Sequence, residues 1–451
     1  MKKYKKISAS IITVLAITTV LSACGGGKAA APSASVAPNA TDAPKEAAAT
    51  AIPKDKIKMQ EFDWSEPGSR LDFGNELLKE FNARTDVNAT FESSHLPSGP
   101  YYPKLNAEIA GNEAPDVFTL HGAGKLKTYA NSGKLEDLTE YFAKDPAWKD
   151  SFISGAFNLL TVDNKIYGIP VSFSAATLYY NKDIFKKNNL EVPKTYDELK
   201  HVVEVLVKNK VTPIAMGAKD AWVSALFSEF VANRIGGDAT FNALMDGKGS
   251  WVDPSYIETG RVLQELTKMN AFPEGFLSID NSAMTNMFQN GQAAMMVTGS
   301  WAISNLVKAD SKVKDVVGIA KFPTFPNGKG DIDTWLGQPG FNFVMSAKAK
   351  DKDAAIKYIK AWTEEKAQKF TGEVGGDIPS TKVALDPTKV PALSKDLKDQ
   401  MSTMKGMFIF YDVGMGAKIG DEYNNTIQSI LAGKAPEEAF KSLQTFTEKN
   451  R

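Results

Sequence analysis

Short apolar runs alternate with amphipathic stretches along most of this chain, and that alternation restricts its body to an α/β fold. "KIKMQEFDW" (56–64) reads as a first strand leading into a polar turn at Pro67-Gly68. "LDFGNELLKEFNART" (71–85) sets Leu71, Leu77, Leu78 and Phe81 on one helical face. "VNATFESS" then reads as a second strand, and "YPKLNAEIAGNEAPDVFTL" as a helix stopped at Gly111 followed by a strand Asp116–Leu120, a βαβαβ opening. Further on, strand-like stretches flank Pro170, and Thr195 with Glu198 forms a capping box before a helix. "AAMMVTGSWA" (293–302) reads as a buried strand entering a turn, with Ser300 expected to cap the next helix and Trp301 just past the strand tip. About 395 residues follow Lys56, too many for one core, so two lobes are expected.

The first 54 residues differ in kind. Lys2, Lys3, Lys5 and Lys6 precede an apolar core, Ile11–Leu21, that is short for a membrane span, so residues 1–23 are expected to be a signal peptide. Leu21-Ser22-Ala23-Cys24 resembles the bacterial lipobox, whose cysteine is acylated. Cys24 is the only cysteine, which excludes an internal disulfide. Residues 24–54 are dominated by Gly, Ala, Pro, Ser and Thr and are expected to form a flexible tether spanning on the order of 30 Å. Membrane contact would then run through the lipid anchor alone.

Composition excludes several functions. Lys and Arg number 53, as do Asp and Glu, so no basic footprint for nucleic acid is present. "VTGSWA" lacks the second glycine of a nucleophile elbow. Neither a His-Glu-x-x-His helix nor a P-loop occurs, and the acidic spacing in "NGKGDIDTW" does not fit an EF-hand. Glu61 and Asp63 form a carboxylate pair of the kind acid–base hydrolysis uses, but 53 acidic residues make such pairs common. No catalytic residue, cofactor or metal is expected, and the protein is not expected to be an enzyme.

Eight stretches occur in the order found in one family: "GNEAPDVF" (111–118), "SGKLEDLT" (132–139), "DNKIYGIPVS" (163–172), "LYYNKDIFKKNNLEVPKTYDELK" (178–200), "FQNGQAAMMVTGSWA" (288–302), "KFPTFP" (321–326), "DAAIKYIKAW" (353–362) and "LAGKAPEEAFKSLQ" (431–444). The chain resembles the extracellular solute-binding proteins, family 1, of bacterial ABC sugar importers. The resemblance implies a two-lobed, type II-like periplasmic-binding-protein fold with a ligand cleft between the lobes and several hinge crossovers. One lobe would comprise 55–171 plus 341–378, the other 172–340 plus 379–451. It also implies a monomer at the extracytoplasmic face of the cell membrane that hands an oligosaccharide to permease subunits. A sugar-sensing lipoprotein, or an anchored glycoside hydrolase, is the alternative.

A sugar site combines aromatic platforms for C–H faces with planar polar groups for hydroxyls. In α/β sheets it lies beyond the carboxyl ends of the strands. The expected contacts are therefore Trp64 with Asp63 and Glu66, His121, Asp220 with Trp222, Ser174, Trp301, Trp335 with Gln338, and Tyr411 with Asp412. The resemblance gives Trp301 the role of stacking on a sugar ring. Trp148, Trp251 and Trp362 are assigned to structure.

Overall fold

The computed structural model describes residues 56–65 and 67–451. The expected signal peptide, the tether with Cys24, and Glu66 lie outside the described residues. The strands are β1 Ile57–Asp63, β2 Ala89–His95, β3 Val117–Thr119, β4 Thr161–Val162, β5 Lys165–Ile166, β6 Ile169–Pro170 and β7 Ser172–Asn181. They continue with β8 Thr212–Ala215, β9 Ala293–Gly299, β10 Val317–Ala320, β11 Thr334–Pro339, β12 Asn342–Met345, β13 Ile378–Pro379 and β14 Gly406–Phe408.

Two mixed sheets organise the body. The first runs β2-β1-β3-β12-β6, with β1 parallel to β2 and β3 and with β12 antiparallel to both neighbours. Residue alternation on β1 divides its packing: Met59 joins Phe91, Phe343 and Tyr358 on one face, and Phe62 joins Tyr101, Leu105 and Phe118 on the other. The second sheet runs β14-β11-β7-β9-β8, with β10 and β13 also paired to β7. Its strands β7, β9 and β11 are almost wholly buried. Burial along nearly their whole length is that of strands covered on both faces.

The helices form where the apolar spacing requires them. In Tyr196–Lys208, Tyr196, Leu199, Val202, Val203 and Leu206 are buried, and the Thr195–Glu198 capping box is present. The helix Ala221–Gly236 is buried nearly all round, beneath the second sheet. Among the described residues no helix is long and apolar enough to cross a membrane.

The chain changes sheets between β6 and β7, between β11 and β12, and again at β13, which pairs with β7. The fold is two-lobed α/β, and these short connections are its crossovers.

One local expectation is corrected. Ser300 caps no helix: it opens a short 3₁₀ turn, Ser300–Ala302, and makes no cap bond. Its hydroxyl accepts from the Ala175 amide and donates to Asp377, so a distant carboxylate claims the group that a helix N-terminus would have used.

Candidate functional site

Parallel strands direct their carboxyl ends to one edge of a sheet, and the loops there collect side chains into a cleft. On the first sheet Trp64 follows β1 and His121 follows β3. Their rings stack with centroids 4.4 Å apart and planes 7° from parallel. Tyr102, from the helix Ser98–Ala110, is inclined 29° to the Trp64 ring and 27° to the His121 ring. Its oxygen sits 2.5 Å from His121 Nδ1 and accepts the His121 amide. The Tyr102 hydroxyl thus holds the His121 ring and its backbone amide together.

Burial first, and the Lys125 charge second, push His121 down to about 3. A depressed folded-state value means that the stability this group contributes is fully present above about 6.5, the unfolded value, and is lost as pH falls toward 3. Between pH 7 and 4.5 the melting temperature of the wild type should fall more steeply than that of His121→Gln. Parallel profiles would refute the assignment.

On the second sheet Trp301 follows β9, and Trp222 opens the helix after β8. The Trp301 indole folds back over Gly299, where a Cβ would stand 2.0 Å from ring carbon Cζ3. The edges of the ring meet Trp222 at 6.0 Å and Phe410 at 6.2 Å between centroids. The bare Cα of Gly299 is thus what lets the largest side chain of this region lie against the strand end.

The two halves touch around these groups. Trp222 Nε1 donates to Ser98 Oγ at 3.1 Å. Asp220, which accepts from the Asn281 amide, lies so close to Gly99 that a Cβ there would be 2.1 Å from Asp220 Oδ1. Lys125 Nζ, buried on the helix Ala123–Asn131, lies 3.3 Å from Asp412 and 3.5 Å from Asp421. Burial alone would lower Lys125, but the two carboxylates outweigh it and raise the value. Burial likewise opposes ionisation of Asp412, and Lys125, His121 and the Asn424 amide together outweigh it and hold the carboxyl below its usual value.

Behind the rings a buried carboxylate ties the crossovers together. Asp377 accepts from Arg70 at 2.8 Å, Ser172 at 3.2 Å, Ser174 at 3.1 Å and Ser300 at 2.5 Å. Gln338 is opposite Ser174 in the β11–β7 register, and its buried Oε1 has no hydrogen-bond partner among the described residues.

The structure thus brings Trp64 together with His121, and Trp222 with Trp301. The other expected contacts are engaged by neighbours within the protein. Asp63 is buried and paired with His95 at 3.1 Å, because it points to the opposite face of β1 from Phe62. Asp412 is engaged by Lys125 and Asn424, and the Ser174 hydroxyl by Asp377. Trp335 sits in the core of the second half beside Phe230, Arg234 and Phe322. Tyr411 is core as well, stacked on Phe241 with centroids 3.6 Å apart. Trp148, Trp251 and Trp362 are buried. Tyr102, Phe410, Lys125 and Asp377 were not anticipated.

Residues 68–369 match the family described as bacterial extracellular solute-binding protein. A galactooligosaccharide-binding protein of Bacillus subtilis is 26% identical over 393 residues, covering 81% of this chain and 87% of the relative. Among solved structures, one from work on xylan utilization by the thermophilic bacterium Caldanaerobius polysaccharolyticus superposes with a TM-score of 0.82 at 27% identity, covering 86% of this chain and 99% of the other. A chitin oligosaccharide binding protein gives 0.82 at 26% identity, covering 88% and 99%.

Proposed function

Because the chain belongs to the family of bacterial extracellular solute-binding proteins, we propose that it captures an oligosaccharide between its two lobes and presents it to the membrane subunits of an ABC importer. The observation that carries this reading is the pair of aromatic groups at the strand ends, Trp64–His121–Tyr102 on one sheet and Trp222–Trp301–Phe410 on the other. Two platforms suit successive sugar rings better than one small solute, and each contributes about a kcal/mol beyond area burial. The unpartnered Gln338 Oε1 is a ready acceptor for a sugar hydroxyl. Its role is binding without catalysis.

The lobes are 55–171 plus 341–378 and 172–340 plus 379–451, a division supported by the strands' changes of sheet. Closure excludes water and strengthens the polar contacts, so ligand shifts an open–closed equilibrium by binding the closed form more tightly. The lipobox-like Leu21–Cys24 supports anchoring of a monomer through acylated Cys24 at the extracytoplasmic face of the membrane.

A thermal-shift panel tests the reading. Xylo-, chito- or galacto-oligosaccharides should raise the melting temperature, and amino acids and peptides should not. A ligand at a hundredfold excess over Kd stabilises by about 2.7 kcal/mol, so a millimolar screen detects micromolar binding. Stabilisation by peptides and by no sugar would overturn the assignment. With the stabilising sugar, Trp301→Ala should lower affinity at least tenfold, about 1.4 kcal/mol, and Gly299→Ala should do the same by lifting the indole.

A further inference from the structure

Glu61 and Asp63 stand two residues apart on one face of β1, and the parallel register sets Ser93 and His95 of β2 beside them. The four side chains meet. Asp63 Oδ1 lies 3.1 Å from His95 Nδ1, Ser93 Oγ lies 3.3 Å from His95 Nε2, and Ser93 donates to Glu61 Oε2. One ligating atom from each of Glu61, Asp63 and His95 falls within 4.8 Å of the others.

The two carboxylates are only 1% and 3% exposed, and Glu61 Oε1 has no hydrogen-bond partner among the described residues. Among the described residues no lysine or arginine pairs with either group; His95 is the one basic partner. Two carboxylates so deeply buried cost several kcal/mol when both are ionised, unless a positive charge answers them.

We propose that Glu61, Asp63 and His95 form a binding site for one divalent transition-metal cation of the Zn²⁺ type, with the Ser93 hydroxyl beside it. Imidazole among the donors favours such an ion over Mg²⁺ or Ca²⁺, which take oxygen ligands. Three protein donors leave a fourth position for water. The site is separate from the proposed sugar contacts: it lies on the Met59 face of β1, toward Tyr358, and the Trp64 platform begins one residue later. A bound ion would cross-link the carboxyl end of β1, which leads into Trp64, to that of β2.

The test uses the full chain, stripped with a chelator and titrated with Zn²⁺ alone by calorimetry, with metal content measured after dialysis. The expected result is one Zn²⁺ per chain, with at least tenfold weaker binding in His95→Gln and in Glu61→Gln. Zn²⁺ should raise the melting temperature of the wild type and leave that of the double variant unmoved, while Ca²⁺ and Mg²⁺ shift neither. His95 is partly exposed, so His95→Gln supplies the same comparison if the double variant does not fold. Absence of stoichiometric Zn²⁺, or undiminished binding in His95→Gln, which would mark an adventitious ion only, overturns the proposal. Sugar binding in the metal-free protein bears on the proposed function independently.

Discussion

Replacing Asp377 by alanine should destabilise the unliganded protein by about 3–5 kcal/mol, the cost typical of breaking a buried ion pair by deleting one partner. The carboxylate is buried and accepts from four side chains at once. Arg70, whose guanidinium also lies 4.7 Å from the Phe341 ring centroid, would be left partly buried without its counter-charge. The Ser172 and Ser174 hydroxyls would lose their acceptor, each costing a further fraction of a hydrogen bond. The donors also have meaning by location. Arg70 belongs to the helix Ser69–Asn82 against the first sheet, Ser172 and Ser174 to the strand that begins at a crossover, and Ser300 to the turn one residue before Trp301. Asp377→Ala should therefore weaken sugar binding as well as stability, because the same carboxylate holds the base of the Trp301 platform. Urea denaturation followed by a sugar titration measures both. A stability loss under 1 kcal/mol would show that the four donors find other partners.

What the sequence disclosed and what it withheld divides along a physical line. Local signals carried well: the Thr195–Glu198 capping box, the helical spacing of Leu199, Val202 and Leu206, and the apolar run Ala293–Val297 each depend on residues within one turn or one strand. So did the placing of Trp64, His121 and Trp301, because each follows a strand end. Sidedness failed where a strand is covered on both faces. Alternation in β11 separates Trp335 from Gln338 but does not say which face holds the cleft, and Trp335 went to the core. Long-range pairing failed too. Nothing near Ser300 foretells Asp377, 77 residues on, and nothing near Asp63 foretells His95 without the β1–β2 register. Electrostatics between halves was least legible, since Lys125 and Asp412 are 287 residues apart.

Gly124→Ala should separate closure from folding. Gly124 enters the helix Ala123–Asn131 where the first half meets the turn Gly414–Gly416 of the second. A Cβ at Gly124 would stand 2.4 Å from the Gly414 carbonyl oxygen and 2.5 Å from the Gly416 amide nitrogen. Both are backbone atoms, so neither side can yield by a rotamer change. Within its own helix, however, alanine is favoured over glycine by up to about 1 kcal/mol. The substitution thus acts with opposite signs on the two forms that the proposed cycle requires, leaving an open form unharmed and straining the closed contact. Overpacking of this kind costs about 1–3 kcal/mol. Charged to the closed form alone, about 2 kcal/mol reduces sugar affinity roughly thirtyfold, since apparent affinity falls with the population of the competent state. The melting temperature without sugar should stay level or rise, and the stabilisation by sugar should shrink. The neighbouring Lys125–Asp412 pair gives the control: Lys125→Met removes attraction across the same contact without adding bulk to the backbone. It should weaken binding less than Gly124→Ala does. Equal affinity of Gly124→Ala and wild type would mean that this contact between halves is not tightened when sugar binds.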